Sequence, residues 1–386
     1  MKRNLILRRL TRVLLALGIA VPCVAAQSAR AARDARPLVV SPEQDDAVQR
    51  GLEWLASQQI RTGPERGSWP AKIGYKLNED YRVTAEDVGH VGVTSLACMA
   101  YLAGGNLPGR GTWGAEVERG LSYVLSCAND DGYITRNGTR MYSHAFATLF
   151  LAEIYGMTHR DDVRRKLQRA IDFIVDTQNE EGGWRYVPFA PDSDMSIVVC
   201  QVLALRAARN IGIRVPRATI DRAARYIVDS AIQEPTRPTF RSSLLADEIG
   251  AFHYQRGVYS RSSFPLTAAG VTALHGVGIY SDEKIGRGLD YLRTHLEAFN
   301  HDYGRIGHYF FWYGHYYGVQ AMYTAGSSYD RNYWEPYFEE VRATLLNLQD
   351  GDGSWPNRVG PGPAFSTAMA VLILEIPYRY LPIFQR

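Results

Sequence analysis

The sequence contains six copies of one helical unit, and this repetition restricts the chain to stacked or closed arrangements of helical hairpins. In five units, apolar residues recur at spacings of four and then three residues, which places them on one face of an amphipathic helix. These triplets are Val48/Leu52/Leu55, Val117/Leu121/Val124, Leu167/Ile171/Ile174, Ile220/Ala224/Ile227 and Ile285/Leu289/Leu292. The sixth unit has Arg342 at the middle position, so its register is less regular.

The second half of each unit is small and apolar on nearly every side, as in "SIVVCQVLALRAA" and "AFSTAMAVLILEI". A helix without a polar face is buried, and small residues let neighbouring helices approach closely. Six buried helices inside six amphipathic ones predict an all-α (α/α)6 toroid. An open solenoid is the alternative, but it needs polar terminal caps, whereas the last unit ends in "LEIPYRYLPIF". A closed ring is therefore favoured.

A seven-residue frame, Gln-x-x-x-Gly-x-Trp, follows the outer helix of the third and sixth units. The glycine permits a positive φ that ends the helix, the glutamine amide can bond free backbone groups there, and the tryptophan can cover that amide. A motif that recurs around a ring cannot all lie in one site, so we predict a structural role. The residues in this role are Gln178, Gly182, Trp184, Gln349, Gly353 and Trp355.

The N-terminus is predicted to be an export signal. Residues 1–26 combine a basic start with an apolar run that is broken by Pro22 and is too short to span a membrane. We expect a signal peptide at 1–26, a flexible segment at 27–44 and one toroid domain at 45–386. The protein would then be exported to the periplasm or cell envelope as a monomer, with no transmembrane segment after signal removal.

Charge and cysteine content exclude several classes of function. The segment 1–26 holds five of the 43 Lys and Arg residues and no acidic residue, so the remainder is nearly neutral and nucleic acid is not an expected partner. Beyond this segment, Cys98, Cys127 and Cys200 are an odd number, and two of them stand in apolar helical runs. Buried thiols are expected rather than disulfides. No metal-ligand spacing or cofactor motif is present, so no metal or cofactor is predicted.

The paired frames, together with "DMSIVVCQVLALRAA", resemble the prenyltransferase and squalene-oxidase repeat proteins of the terpenoid cyclase/protein prenyltransferase superfamily. The resemblance covers residues 45 to about 380 and includes the exported bacterial members. It implies the toroid and, for an enzyme, cyclase-like or prenyltransferase-like chemistry. The catalytic motifs are incomplete: the Asp-x-Cys zinc pair and the thioester stretch are missing, and Met195 replaces the last acid of the cyclase Asp-x-Asp-Asp motif.

The candidate site lies where the N-termini of the inner helices gather at one mouth of the ring. His144 is a candidate catalytic base, because a helix N-terminus favours a neutral imidazole. Asp194 is a candidate catalytic carboxylate, and its place at a helix N-terminus is expected to keep it ionised and to lower its pKa. The alternatives are a structural histidine that bonds a neighbouring loop and an aspartate that caps its helix. The residues expected to bind a ligand are His90, Tyr142, Asp192, Arg185, Tyr186, His308, Tyr309 and Trp312.

The aromatic segment 308–318 suits isoprenoid chains, sugar rings or plain packing of the barrel wall. The first interpretation of function is a non-catalytic, ligand-binding scaffold whose mouth holds an unknown apolar small molecule, peptide or glycan. The alternative is an isoprenoid-processing, cyclase-like enzyme or carrier. The second alternative, a polysaccharide-active enzyme, needs two carboxylates that face each other across the mouth. Those carboxylates would be Asp192 or Asp194 with Glu180, Glu181 or Asp87.

Overall fold

The computed structural model of the protein describes residues 40–234, 248–257, 260–326, 333–378 and 381. The predicted signal peptide at 1–26 lies outside these residues, as does the segment 27–39. The first helix begins at Pro42, inside the segment 27–44 that was predicted to be flexible. No helix among the described residues is long and apolar enough to cross a membrane.

The described residues form twelve α-helices in alternating outer and inner positions. The outer helices are α1 (Pro42–Gln58), α3 (Gly114–Ser126), α5 (Asp161–Asp176), α7 (Arg217–Asp229), α9 (Glu283–Tyr303) and α11 (Trp334–Leu348). The inner helices are α2 (Val91–Ala103), α4 (Met141–Thr158), α6 (Met195–Asn210), α8 (Phe264–Gly276), α10 (Tyr309–Ala325) and α12 (Pro363–Leu374). A short 3₁₀ helix follows at Ile376–Tyr378.

The inner helices form a closed ring, because each packs against the next and α12 packs against α2. The apolar faces of the outer helices point into this ring: Val48, Leu52 and Leu55 of α1, for example, are buried. The inner helices are buried on nearly every side, as their composition predicts. The predicted (α/α)6 toroid is confirmed.

The glutamine of each frame joins its own unit to the next. The Gln349 amide donates to the carbonyl of Ala47 in α1 at 2.8 Å and to that of Gly353 at 2.9 Å. The Gln178 amide makes the same two contacts, with Thr219 in α7 at 2.9 Å and with Gly182 at 2.8 Å. Gln349 therefore connects the last unit to the first and helps to close the ring.

The tryptophans of the frames anchor the loops to the helices that precede them. The Trp184 indole donates to the carbonyl of Ile174 at 2.8 Å, and the Trp355 indole donates to that of Leu345 at 2.8 Å. Both rings are almost completely buried. The first unit keeps the same contact, from Trp69 to the Leu55 carbonyl at 2.7 Å.

An antiparallel β-hairpin, which the sequence did not predict, interrupts the first unit. Strands β1 (Pro70–Leu77) and β2 (Asp80–Gly89) pair from Pro70↔Gly89 to Leu77↔Asp80. They are joined by a two-residue turn in which Asn78 takes a positive φ of 57°. The backbone N–H of Lys72 donates to the Pro361 carbonyl at 2.8 Å, so β1 is tied to the loop before α12.

A buried carboxyl at the end of α12 is expected to lower stability at neutral pH. Glu375 is 1% exposed, and neither carboxylate oxygen has a hydrogen-bond partner among the described residues. Burial, with a smaller effect from Asp45, raises its pKa well above the ordinary range. The folded state then holds a proton that the unfolded state loses above pH of about 4, so stability falls as pH rises from there.

We expect Glu375→Gln to raise the free energy of unfolding at pH 7 by about 1–3 kcal/mol and to flatten its pH dependence above about pH 4.5. Urea unfolding between pH 4 and 8 would measure both effects. The matched control is Glu53→Gln, since Glu53 is exposed on α1. A loss of stability in the Glu375 variant would show that the carboxylate has a stabilising partner instead.

Candidate functional site

A cavity of about 740 Å³ lies at the mouth where the inner helices begin. The N-terminal regions of all six inner helices contribute to its wall. Their contributions include His90 before α2, Tyr142 in α4, Ser196 in α6, Ser263 before α8, Tyr309 in α10 and Phe365 in α12. The parallel orientation of the inner helices therefore brings six distant chain segments to one site.

Two elements that the sequence analysis did not assign to the site extend the wall of this cavity. The hairpin contributes Tyr75, Lys76 and Tyr81, and the outer helix α9 contributes Tyr291 and His295. Helix α9 is the longest of the described helices, with 21 residues, and its cavity-lining residues lie between Tyr291 and Tyr303. The lining is consequently rich in tyrosine and phenylalanine, with hydroxyl and imidazole groups between the rings.

Asp194 caps α6 immediately behind the cavity wall. Its Oδ1 accepts the backbone N–H of Ile197 at 3.1 Å and the hydroxyl of Ser196. The side chain is fully buried, its Oδ2 has no hydrogen-bond partner among the described residues, and the Arg185 Nε lies 3.7 Å from that oxygen. Burial raises the pKa of Asp194 to about 6, although Ser196, Ile197 and Arg185 oppose the shift. The helix cap of the alternative interpretation is thus present, and the same carboxyl can exchange a proton near neutral pH.

A chain of hydroxyl groups connects the Asp194 carboxyl to the cavity. The Ser196 hydroxyl donates to Asp194, and Ser196 lies near Tyr186 on the cavity wall. The Tyr186 hydroxyl in turn shares a hydrogen bond with that of Tyr254. Ser196, Tyr186 and Tyr254 all line the cavity, whereas Asp194 does not. A proton on Asp194 can therefore reach a ligand through neutral hydroxyl groups.

The structure does not bring His144 to this cavity. Its Nδ1 accepts the backbone N–H of Ile134 at 3.1 Å, and its ring packs against Tyr133 and against Phe173 of α5. Burial lowers its pKa to about 3. His144 thus lies between an inner and an outer helix in a structural environment, and it has no part in the proposals below.

Four of the eight predicted ligand-binding residues line the cavity, and the other four stand behind it. Those that line it are His90, Tyr142, Tyr186 and Tyr309. Those that do not are Asp192, Arg185, His308 and Trp312.

The four residues behind the wall make contacts that hold the mouth together. Arg185 forms an ion pair with Asp192, which also accepts from the Gln255 amide at 3.1 Å. His308 caps α10, and its Nε2 lies 2.7 Å from the carbonyl of Glu79 in the hairpin turn. The Trp312 indole donates to two backbone carbonyls at 3.1 Å.

Two histidines on the cavity wall have complementary hydrogen-bonding roles. The Nδ1 of His90 accepts the backbone N–H of Val93 at 3.2 Å, so a neutral ring carries its proton on Nε2. The Nδ1 of His295 lies 2.8 Å from the Tyr291 carbonyl and therefore donates to it, which leaves Nε2 as an acceptor. Burial lowers the pKa of His90 to about 4 and keeps its ring neutral. The sequence analysis missed His295 because it stands on an outer helix.

Two carboxylates that the sequence analysis did not name also line the cavity. They are Glu79 in the hairpin turn and Asp302 near the end of α9. Both act electrostatically on Tyr303, so they lie on the same side of the cavity. The predicted partners Glu180, Glu181 and Asp87 do not line it. Among the residues that the structure describes, no group of three or more His, Cys, Asp or Glu side chains could hold a metal ion.

Comparison with known proteins finds sequence similarity over a short part of the chain. No family model matches the chain. A drimenyl diphosphate synthase of Streptomyces showdoensis is 27% identical over 117 residues, which are 30% of this chain and 21% of the synthase. The similarity therefore spans about a fifth of the length of that curated relative.

Comparison with solved structures gives a similarity over nearly the whole described fold. The GH76A α-1,6-mannanase of Salegentibacter sp. HEL1_6 matches with a TM-score of 0.61 and 7% identity, over 87% of this chain and 99% of that one. The cellobiose 2-epimerase of Bacillus thermoamylovorans B4167 matches with a TM-score of 0.59 and 11% identity, over 86% and 98%. A family 76 glycoside hydrolase, Bt3792 of Bacteroides thetaiotaomicron VPI-5482, has a TM-score of 0.57 and 9% identity, over 86% and 97%. At these identities the shared feature is the fold.

These comparisons correct two predictions. Membership of the terpenoid cyclase/protein prenyltransferase superfamily is wrong, because a similarity to 21% of one synthase does not outweigh the match to carbohydrate-active toroids over most of the chain. The cyclase-like alternative fails for the same reason. A non-catalytic scaffold is also wrong as the main interpretation, since these neighbours are enzymes. The frames that suggested the family hold the ring together, and such contacts carry no information about substrate.

Proposed function

We propose that this protein is a polysaccharide-active enzyme that binds sugar residues in the cavity and draws a catalytic proton from Asp194. The observation that carries this proposal is the position of Asp194: a buried carboxyl, with a pKa of about 6, that reaches an aromatic-lined cavity through hydroxyl groups. A carboxyl group whose pKa is raised toward the working pH is what general acid catalysis at a glycosidic bond requires.

The lining of the cavity suits a sugar ring. Aromatic faces pack against the C–H faces of sugars, while nearby hydroxyl and imidazole groups bond the sugar hydroxyls. Tyr142 provides such a face, with its ring centroid 6.0 Å from that of Tyr186 and 6.4 Å from that of Tyr313. Structural neighbours support this assignment, because a variant of the Salegentibacter mannanase was solved in complex with α-1,6-mannotetrose.

Glycoside hydrolysis is the reaction that we propose first. The proton held by Asp194 passes through the Ser196 hydroxyl to the leaving oxygen as the glycosidic C–O bond breaks. A second carboxylate then acts on the sugar carbon, either directly or by activating the water that replaces the leaving group. Glu79 and Asp302 are the candidates for this role, since both line the cavity.

Epimerisation of a reducing-end sugar is a second candidate, favoured by the two cavity histidines. Inverting a carbon next to a carbonyl requires a base that removes a proton and an acid that returns one to the other face. The free Nε2 of His295 is an acceptor, and the Nε2–H of His90 is a donor. Cellobiose 2-epimerase is among the structural neighbours.

Product analysis tests the proposal and separates the two reactions. The purified protein would be incubated with neutral and acidic oligosaccharides of defined length and the products followed by mass spectrometry and NMR. Hydrolysis gives shorter products and new reducing ends, whereas epimerisation gives a product of unchanged mass with altered ring-proton signals. If no oligosaccharide in a broad panel is bound or changed by the folded protein, the proposed function is wrong.

A further inference from the structure

Three cationic side chains line the cavity without a carboxylate partner. Lys76 comes from the hairpin, Arg140 from the residue before α4 and Arg261 from the loop before α8. Within the described part of the chain, none of the three forms an ion pair. Arg185, which stands behind the wall, is by contrast paired with Asp192 and lies near Asp194. The cavity therefore presents positive charge that the protein itself does not neutralise.

Each of these cations is held against an aromatic ring instead. The Lys76 Nζ lies 4.5 Å from the Phe310 ring centroid, the Arg261 guanidinium 4.5 Å from that of Tyr254, and the Arg140 guanidinium 5.4 Å from that of Tyr75. Contact with a ring face positions a cation while its N–H groups can still bond an anion. The three side chains thus belong to three separate segments that meet at one cavity, and each is positioned by contact with an aromatic ring.

Two of the cations are close enough to repel one another. Burial and, less strongly, the positive charge of Arg261 lower the pKa of Lys76 to about 8, against smaller opposing effects of Glu79 and Asp194. Like charges this close are unfavourable, and an anion bound to both side chains would relieve the repulsion. The N-termini of the inner helices, which also point to this mouth, favour negative charge in the same place.

Within the described ranges, the two carboxylates of the cavity wall form no ion pair with these cations, although Glu79 lies close enough to Lys76 to act on it electrostatically. Glu79 and Asp302 flank Tyr303 near the end of α9, whereas Arg261 lies over Tyr254 and Arg140 over Tyr75. An acidic sugar could therefore bind the three unpaired cations and leave the two carboxylates free.

We propose that the glycan bound in this cavity is acidic, and that its carboxylate or sulfate groups bind Lys76, Arg140 and Arg261. This inference rests on the proposed function and specifies its substrate class. A guanidinium matches either oxyanion with two parallel N–H donors, so the shared chemistry is an oxyanion carried on a sugar ring.

The test compares three oligosaccharide preparations of matched length: oligogalacturonate, sulfated dextran oligosaccharides and unmodified dextran oligosaccharides. Calorimetric titration at about 50 mM salt limits electrostatic screening. We expect at least one acidic preparation to bind about tenfold more tightly than the neutral one, since a hydrogen bond to a charged group contributes more than a neutral one. Galacturonate and sulfated dextran distinguish a carboxylate from a sulfate ligand.

The variants are Arg261→Gln and the double variant Lys76→Met/Arg261→Gln, with Arg217→Gln as the matched control. Arg217 has a side chain that is 91% exposed on α7, and it does not line the cavity. We expect the cavity variants to lose about tenfold in affinity for the acidic glycan, with unchanged thermal midpoints, and the control to lose none.

Three outcomes would overturn the inference. Equal binding of neutral and acidic glycans, or acidic binding that the double variant leaves unchanged, refutes the acidic substrate class while the proposed function stands. Failure of every glycan to bind or react refutes both proposals together.

Discussion

Asp194→Asn is expected to lower turnover by about 10²- to 10⁴-fold, the usual contribution of a general acid, while the protein remains folded. Asparagine caps a helix about as well as aspartate, so the start of α6 keeps its hydrogen bond to Ile197. The variant lacks only the carboxyl group that donates the catalytic proton. Steady-state kinetics on the substrate found by product analysis would measure the loss, and thermal unfolding would check the fold.

The pH profile separates loss of the acid from loss of structure. Asp194 has a pKa of about 6, so its protonated form is abundant below pH 6 and is depleted above it. Turnover should therefore fall on the alkaline side of about pH 6 in the wild type, and this limb should be absent from the residual activity of the variant. Because the raised pKa reflects a carboxylate that is costly to bury, stability is lost as pH rises from about 4 to 6. The variant should consequently be at least as stable as the wild type at pH 7.

Two further variants show whether the proton travels by the hydroxyl chain. Ser196→Ala removes the hydroxyl that links Asp194 to the cavity and should lower turnover with Asp194 still present. Asp221→Asn is the matched control, since Asp221 is exposed on α7. Full activity of Asp194→Asn would refute the assignment. If the variant loses activity only to the extent that its midpoint of unfolding is lowered, Asp194 has a structural role as a helix cap and no catalytic role.

The ring of helices could be predicted because its determinants are local in sequence. The face formed by Val117, Leu121 and Val124 follows from spacing alone, and the apolar composition of α6 requires burial on every side. Closure was also predictable, since the sequence after α12 does not resemble a polar cap. None of these steps needed knowledge of which distant segments meet.

The site could be predicted only in part. It depends on the direction in which each side chain points and on which distant elements pack around the mouth. His144 stands two residues after Tyr142 on the same helix, a rotation of about 200°, so one side chain faces the cavity and the other faces α5. The hairpin lies inside the first unit, between its outer and inner helices, where no helical pattern reveals what it covers. His295 stands on an outer helix that is longer than its counterparts, and only the coordinates show that its end reaches the mouth.

Gly353→Ala is expected to lower the free energy of unfolding by about 3–4 kcal/mol, from backbone strain together with overpacking. Gly353 has a φ of +93°, a conformation that residues with a side chain rarely adopt. A Cβ at this position would also stand 2.6 Å from the backbone oxygen of Arg50 in α1. The substitution therefore acts at the junction between the last unit and the first, where the ring closes.

Gly212→Ala separates the contribution of backbone strain from that of overpacking. Gly212 has a φ of +81°, but a Cβ there would have no atom within 4 Å, so only the strain of about 1–2 kcal/mol should remain. Urea unfolding of both variants, with the slope of each transition compared with the wild type, gives the difference. Gly182→Ala should match Gly353→Ala, because its Cβ would stand 2.5 Å from the Arg222 carbonyl oxygen at the equivalent junction between the third and fourth units. Equal losses for Gly353 and Gly212 would mean that close packing of the frame against the next outer helix contributes nothing to closure.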